Sequence, residues 1–388
     1  MPRRDIVIAG VAETRLEIAS GRSTYEIAAE AFEALLEATG ISPREVDGLA
    51  VSATQSECTN PFYAAFVSDA LGLEVSWLNL TALAGCSALA GVARASAAIR
   101  DGQCRCAVVI SADAPTTKFR ADHGAWRDEF QAPIGVLTPP AAFGLLMSRY
   151  AAEHSLDPEA LARIAIVQRS HALANDNACA KLRVPLTREE YFASRMVADP
   201  LRLLDCVMLC DGGSALLVTT PEHARSLGLT RLVYPSAYAE ITNPAATDPV
   251  PDVLRTGFGM IAPRLFSEAG LAPADLDILQ LYDDFTIAVL MQLEEFGFCA
   301  RGEGAAFVMR TDLSHRGSLP LNTGGGQLSA GQPGLAGGGV TLCEAVRQLF
   351  GEGGARQVRA PRNALVSGIG MIPYARSWGT SAAMILEL

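Results

Sequence analysis

A cysteine among small residues, placed where a helix is expected to begin, is the first position in this chain with the makings of a nucleophile. It is Cys86, in the run LAGCSALAG at 83–91. Backbone N–H groups and the helix dipole at such a start favour a thiolate, although a small core residue in an Ala-rich helix would read the same way. A second cluster is YDDFT at 282–286, where Tyr282, Asp283 and Asp284 bring a phenol and two carboxylates to the end of a buried strand. Ligands of α/β proteins bind at the carboxyl ends of strands; either aspartate could also simply cap the helix that follows. The densest glycine region is LNTGGGQL at 321–328 followed by GQPGLAGG at 331–338. Backbone without side chains admits a ligand closely and offers N–H donors to an oxyanion or phosphate, with tight turns as the plain alternative. No Gly-Lys-Ser/Thr follows it and no G-x-G-x-x-G follows a strand, so nucleotide fingerprints are excluded. A last glycine turn, SGIGM at 367–371 with Tyr374 beyond it, contains Gly368 and Gly370. The histidines, at 123, 154, 171, 223 and 315, fall outside all of these runs, so no imidazole base announces itself.

These groups need elements to hold them. Residues 5–11, DIVIAGV, read as a buried strand. A helix is predicted over 24–39, capped by Ser23 or Thr24 and stopped by Gly40, with a strand over 48–52. The phrase G-I-S-P-x-x-V-D-x-L from Gly40 recurs as G-L-A-P-x-x-L-D-x-L from Gly270, an offset of 270 − 40 = 230 residues. Each copy follows an amphipathic helix and precedes a strand, which points to an internal duplication. A small-residue helix from about 86 to 100 leads into a strand at 106–111, and a helix from about 336 to 350 leads into a strand at 363–367. Such alternation predicts parallel pairing through crossovers. Between the halves, about 114–205 reads as an insertion with polar loops, Pro139-Pro140 and a helix near 158–173, returning to the sheet over 211–218. Covers of this kind often carry substrate selectivity.

The chain has 388 residues, with 49% hydrophobic and 19% charged, enough to bury a large core. Its net charge is −11, and Lys occurs only at 118 and 181. That balance argues against nucleic acid as a partner. The nine cysteines show no C-x-x-C pair and no Cys/His ligand spacing, which predicts no metal site and reduced thiols. The basic start is followed by a short apolar run broken by Glu13 and Arg15. Neither a signal peptide nor a membrane span is expected, and the expected location is cytoplasmic.

Taken in order, the doubled halves, the cysteine at a helix start, the central loop domain, Asp211-Gly212-Gly213, the Gly325-Gly326 turn and the terminal glycine turn resemble the thiolase superfamily. They are most similar to its sterol-carrier-type, lipid-transfer-protein branch, over essentially the full chain. The resemblance implies an α/β thiolase fold: two pseudo-repeated βαβ-type halves, 1–228 (with the loop domain at about 114–205) and 229–388, in a layered α-β-α-β-α arrangement. The catalytic motifs depart from the family. Gly331-Gln332-Pro333 stands where thiolases carry Gly-His-Pro, so Gln332 replaces the activating histidine. Tyr282-Asp283-Asp284-Phe285 stands where they carry Asn-Glu-Ala-Phe or His-Asp-Cys-Phe. Ser367-Gly368 stands in place of the second catalytic cysteine. Spacing back from Gly102 puts the family's nucleophile at Gly85, one residue before Cys86.

Thiolysis needs a nucleophilic cysteine, its base and an acid for the coenzyme A sulfur. A retro-aldol cleavage needs one base for the β-hydroxyl proton and an oxyanion hole for the enolate. Members of the branch that resemble this chain in Tyr-Asp-x-Phe and Asn-Thr-x-Gly-Gly include aldolases that shorten steroid side chains, working with a small OB-fold, zinc-ribbon partner. The resemblance therefore implies retro-aldol cleavage of a β-hydroxyacyl-CoA, with Tyr282 as base and Asp283 as its orienting neighbour. Gly325, Gly326, Gly331, Gly368 and Gly370 are the expected close-approach backbone, with N–H groups near Gly325, Gly331 and Gly370 on the enolate oxygen. A coenzyme A thioester is expected as substrate rather than as a permanently bound cofactor, and a homodimer through the sheet edges of the first halves. A Cys86-dependent thiolase or acyltransferase, and a catalytically idle acyl-CoA-binding subunit, are the competing readings.

Overall fold

The computed structural model describes residues 4–118, 131–136, 138–250, 252–370 and 378–388. Tyr374 and Met371, named above, lie outside them.

Two sheets carry the architecture. The first contains β1 (Val7–Glu13), β2 (Gly48–Ser52), β3 (Trp77–Thr81), β4 (Cys106–Asp113) and β7 (Gly212–Thr219), in the order β1-β7-β4-β2-β3. Between β4 and β7 a small hairpin pairs β5 (Met196–Ala198) with β6 (Leu201–Arg202). The second sheet contains β8 (Tyr234–Thr242), β9 (Leu279–Gln280), β10 (Asn363–Ile369) and β11 (Thr380–Glu387), in the order β8-β11-β10-β9. The strands that follow helices, β2, β3 and β4, are parallel, as are β9 and β10. Strand β7 returns from the insertion instead and runs antiparallel to both β1 and β4, and β11 runs antiparallel to β8 and β10. The parallel pairing expected from the helix-strand alternation thus holds only where a helix makes the crossover.

Alternation along the strands builds the layers. On one face of β4 and β7, Val109 and Leu216 join Leu89 and Val92 of the helix Ser87–Arg100; the same core takes in Leu342 and Val346 of the helix Gly338–Phe350 and Val366 and Met384 of the second sheet. These two helices are the central layer. On the other face, Val108 and Leu217 meet Ile27, Ala31 and Leu35 of the helix Thr24–Thr39. The helix Gly257–Ala269 covers the second sheet through Phe258, Ile261 and Leu265. The result is an α-β-α-β-α stack.

The repeated phrase has a repeated structure. The helix Thr24–Thr39 ends at Gly40 with φ 71°, its N–H on the Leu36 carbonyl; the helix Gly257–Ala269 ends at Gly270 with φ 71°, its N–H on the Phe266 carbonyl. Left-handed backbone at a helix end is what glycine supplies at least cost. A one-turn 3-10 segment begins at Pro43 in the first copy and at Pro273 in the second. The insertion contains the helices Pro139–Glu153, Pro158–Ala172 and Arg188–Ala193. No helix among the described residues is long and apolar enough to cross a membrane.

Candidate active site

The short strand β9 delivers the Tyr282 run. It pairs with β10 through Leu279↔Leu365 and Gln280↔Val366. Beyond the pairing, the Tyr282 N–H donates to Ser367 Oγ at 2.9 Å and the Tyr282 carbonyl accepts from Gln292 Nε2 at 2.7 Å. Ser367 Oγ in turn donates to Gln292 Oε1 at 2.5 Å. The serine that occupies the place of the second thiolase cysteine is therefore a backbone clamp for Tyr282, fully buried and committed to two partners.

The Tyr282 ring fills a space that glycine leaves. A Cβ built on Gly85 would lie 2.3 Å from both Cε2 and Cζ of Tyr282, and 2.5 Å from the Ile369 carbonyl oxygen. No side chain fits at Gly85 while the ring is there. The turn that presents Gly85 is strained, with Ala84 at φ 47°. The next residue, Cys86, is fully buried; its Sγ contacts the Thr380 carbonyl at 3.6 Å under β11. Burial, with Glu240 nearby, pushes the thiol well above the usual cysteine range. A neutral thiol packed under a strand is the opposite of an activated nucleophile.

Gln332 is brought to the same point. Its backbone is held by Met208 and Cys210, the N–H donating to Met208 O and the carbonyl accepting from Cys210 N, both at 2.9 Å. Its Nε2 donates to Tyr282 Oη at 3.3 Å and to Gln327 Oε1 at 3.2 Å. An amide cannot take a proton as an imidazole would, but it can donate to an oxygen. Burial, and then the charge of Asp284, raise the Tyr282 phenol well above its ordinary value of 10. The group is a neutral phenol at physiological pH, which does not suit the base role expected for it; its proton is available to be given, not taken.

The two aspartates have separate fates. Asp283 is fully buried, and its carboxylate caps the one-turn helix Gly326–Ala330: Oδ1 accepts from Gln327 N at 2.8 Å and Oδ2 from Leu328 N at 3.1 Å. Gln168, in the amide orientation that satisfies its neighbours, also donates to Oδ2 and to the Gly325 carbonyl. Burial raises Asp283 to about 7 against the pull of those N–H groups. It supports the glycine turn; the orienting role on Tyr282 expected of it has no hydrogen bond behind it among the described residues. Asp284 is half-buried, and its Oδ1 has no hydrogen-bond partner among the described residues. Burial and the neighbouring Asp283 hold it well above the ordinary aspartate value of 3.8. This residue went unassigned in the sequence; nothing in two adjacent aspartates says which one is left free.

The glycines serve packing more than donation. The Gly325 N–H is taken by Asn322 O at 2.8 Å, Gly331 by Gln327 O at 3.0 Å and Gly370 by Thr380 O at 2.7 Å, so the expected enolate donors are already spent. A Cβ would meet Asp283 Oδ2 at 2.0 Å from Gly326 and the Gly85 carbonyl oxygen at 2.7 Å from Gly368. Their close approach is to other parts of the protein. His171, outside the motifs in the sequence, supports the same turn: its Nδ1 lies 3.2 Å from Asn322 O while its Nε2 accepts from His315 N at 3.0 Å. That acceptor role fixes the proton on Nδ1. Burial lowers it to about 4, so it is a neutral strut. Among the described residues no group of three or more His, Cys, Asp or Glu is disposed to hold a metal.

Comparison with known proteins gives consistent matches. The family profile "Thiolase, N-terminal domain" matches residues 6–222 and "Thiolase C-terminal domain-like" matches 239–386. The "Steroid side-chain-cleaving aldolase" of Thermomonospora curvata is 33% identical over 350 residues, covering 83% of this chain and 85% of that protein. The "17-hydroxy-3-oxo-4-pregnene-20-carboxyl-CoA lyase" of Mycobacterium tuberculosis is 32% identical over 368 residues, covering 89% and 91%. A solved structure described as "Ltp2-ChsH2(DUF35) aldolase" superposes with a TM-score of 0.87 at 30% identity, over 99% of this chain and 98% of that one.

Proposed function

This chain belongs to the thiolase superfamily, and from that premise we propose that it is an acyl-CoA lyase that breaks a carbon-carbon bond of a β-hydroxyacyl-CoA by retro-aldol cleavage, with a steroid or lipid side chain as the acyl group. The observation that carries the reading is the Tyr282 ring in the space beside Gly85, with the thiol of Cys86 buried against Thr380. Such a site has a phenol and a carboxyl group where thiolysis requires a thiolate.

The chemistry runs as follows. The Asp284 carboxylate takes the β-hydroxyl proton, the Cα–Cβ electron pair moves into the thioester as an enolate, and the β-carbon leaves as a ketone or aldehyde. The phenol of Tyr282 protonates Cα, giving the shortened thioester, and the proton on Asp284 returns to Tyr282 through solvent. A carboxyl held at a raised pKa is a stronger base than an ordinary aspartate, and a phenol kept neutral is a competent acid. The Gln332 amide holds the Tyr282 hydroxyl in place by donating to it. Free coenzyme A and a covalent intermediate play no part.

Two assembly calls accompany this. A homodimer through the edge of the first sheet is supported by β3, an edge strand exposing Leu78 and Leu80 near exposed Phe62 and Phe66. A DUF35 partner is inferred from the description of the superposed aldolase. Nine scattered cysteines without C-x-x-C spacing suit a cytoplasmic location.

The test is a product assay by mass spectrometry with β-hydroxyacyl-CoA and β-ketoacyl-CoA panels, with and without free coenzyme A and the partner. Cleavage of the hydroxy compounds without coenzyme A is expected. Cleavage confined to keto compounds, and dependent on coenzyme A, would return thiolysis to first place.

A further inference from the structure

Among the described residues two arginines are buried, and they are matched unequally. Arg356, 7% exposed, donates through Nε and Nη2 to Glu344, at 3.1 and 2.8 Å, and through Nη1 to the Ala174 carbonyl at 3.1 Å. Arg169, 6% exposed, makes a single hydrogen bond, from Nε to the Ser329 hydroxyl at 3.3 Å. It forms no ion pair among the described residues. An opposite charge acting on it is Glu190, whose carboxylate is engaged by Thr187 in a capping box. A desolvated guanidinium without a counter-charge is costly, and proteins keep such groups paired. Among the described residues the terminal nitrogens of Arg169 have no acceptor.

The Arg169 guanidinium meets the helix Gly326–Ala330, which carries the glycine turn of the site. Arg169 follows Gln168, which donates to Asp283 and to the Gly325 carbonyl, and its partner Ser329 stands three residues before Gln332. The guanidinium presents a planar fork of N–H groups, the geometry that binds carboxylate or phosphate through two parallel hydrogen bonds.

We propose that Arg169 anchors an oxyanion-binding subsite, between the helices Pro158–Ala172, Arg188–Ala193 and Gly326–Ala330, that takes an anionic oxygen group of the acyl thioester: a carboxylate on the acyl chain or a phosphate of the coenzyme. The substrate assignment rests on the acyl-CoA reading above; the anion site itself does not.

The first experiment is therefore free of substrate. Thermal unfolding of the wild type and of Arg169→Met is compared with and without inorganic phosphate at matched ionic strength. The methionine variant is expected to be at least as stable as the wild type without phosphate, because it no longer buries an unmatched charge. Phosphate is expected to raise the wild-type Tm by a few degrees and to leave the variant's unchanged. A methionine variant less stable than the wild type, with the same phosphate response in both, would overturn the proposal and make Arg169 a packing residue. Should Arg169→Met not fold, Arg169→Gln takes its place: folding without a phosphate response supports the subsite, and an undiminished response refutes it. The second arm is kinetic and identifies the source. A rise in KM of about tenfold or more in the variant, as loss of charge-assisted hydrogen bonds entails, with both an acyl-CoA and the matching acyl-pantetheine locates the anion on the acyl chain. A rise with the acyl-CoA alone assigns it to the coenzyme phosphates. Unchanged KM for both, in an enzyme that turns over, removes the substrate assignment.

Discussion

Replacing Tyr282 by phenylalanine separates chemistry from packing, because the ring is what fills the space beside Gly85 and the hydroxyl is what is proposed to react. On stability the change is small. The hydroxyl accepts a single hydrogen bond, from Gln332 Nε2 at 3.3 Å, and that nitrogen keeps Gln327 Oε1 as a partner at 3.2 Å. A bond of that length contributes about 1 kcal/mol or less, and no cavity forms, so Tm should move by no more than about 2 °C. On rate the change is large. Loss of a positioned general acid lowers kcat by about 10²- to 10⁴-fold, which is about 3 to 5 kcal/mol of barrier at 1.36 kcal/mol per tenfold. The assay is single-turnover cleavage of a β-hydroxyacyl-CoA followed by mass spectrometry, with thermal unfolding run on the same preparations. Because the phenol lies well above 10, the wild type should also show no alkaline loss of kcat from this group up to about pH 10. A phenylalanine variant within about threefold of wild-type kcat would refute the assigned role, whatever its stability. A lost rate accompanied by a collapsed Tm would assign the effect to packing.

The remaining expectations test the groups around it. Gly85→Ala places a Cβ 2.3 Å from the Tyr282 ring and 2.5 Å from the Ile369 carbonyl, so it should cost about 1–3 kcal/mol of stability by overpacking and about 10²-fold in kcat by displacing the ring; unchanged kinetics would show that the ring is not the reacting group. Cys86→Ala should leave kcat within about twofold, at a stability cost of about 1 kcal/mol, and intact mass after incubation with acyl-CoA should show no adduct on the wild type; an acylated Cys86 would restore the thiolase reading. Asp283→Asn should flatten the pH dependence of stability. The folded carboxyl sits at about 7 and its unfolded value is 3.8, so the folded state holds the extra proton between those values and stability falls as pH rises from about 4 to about 7. That slope amounts to roughly 4 kcal/mol over the window at 1.36 kcal/mol per unit. Denaturant midpoints at pH 5 and pH 8 should converge in the variant, and equal slopes in both proteins would disprove the assignment. Asp284→Asn should remove the acid limb of the kcat profile together with most of the rate, since the base must be ionised to act; a surviving limb would place the base elsewhere.

What could be read from the sequence and what could not divide along a physical line. Local, short-range requirements were legible. Gly40 and Gly270 stop their helices at φ 71° because a left-handed residue is needed within one turn of the helix it ends, and the repeated phrase around them exposed the doubled fold. The close approach promised by the glycine-rich run was also real, but its object was misjudged. Gly326 makes room for the Asp283 carboxylate and Gly337 for the Gln327 side chain, where a Cβ would lie 2.0 Å away in each case. Whether an N–H is free for a ligand depends on a partner that no local pattern reveals. Gly370 is committed to Thr380 across a segment of other residues, and Gly331 to Gln327 by the pitch of a single helical turn. The same holds for the nucleophile. Spacing left Gly85 and Cys86 one residue apart, and the ring that lies against Gly85 belongs to Tyr282, 282 − 85 = 197 residues further along. Adjacent aspartates present the sharpest form of the problem: consecutive side chains leave a backbone in different directions, so one carboxylate, Asp283, is consumed as a cap by Gln327 and Leu328, while its neighbour keeps an oxygen without a partner among the described residues. A residue's type gives the chemistry it can perform; the long-range contacts decide which copy of that residue is left unengaged to perform it.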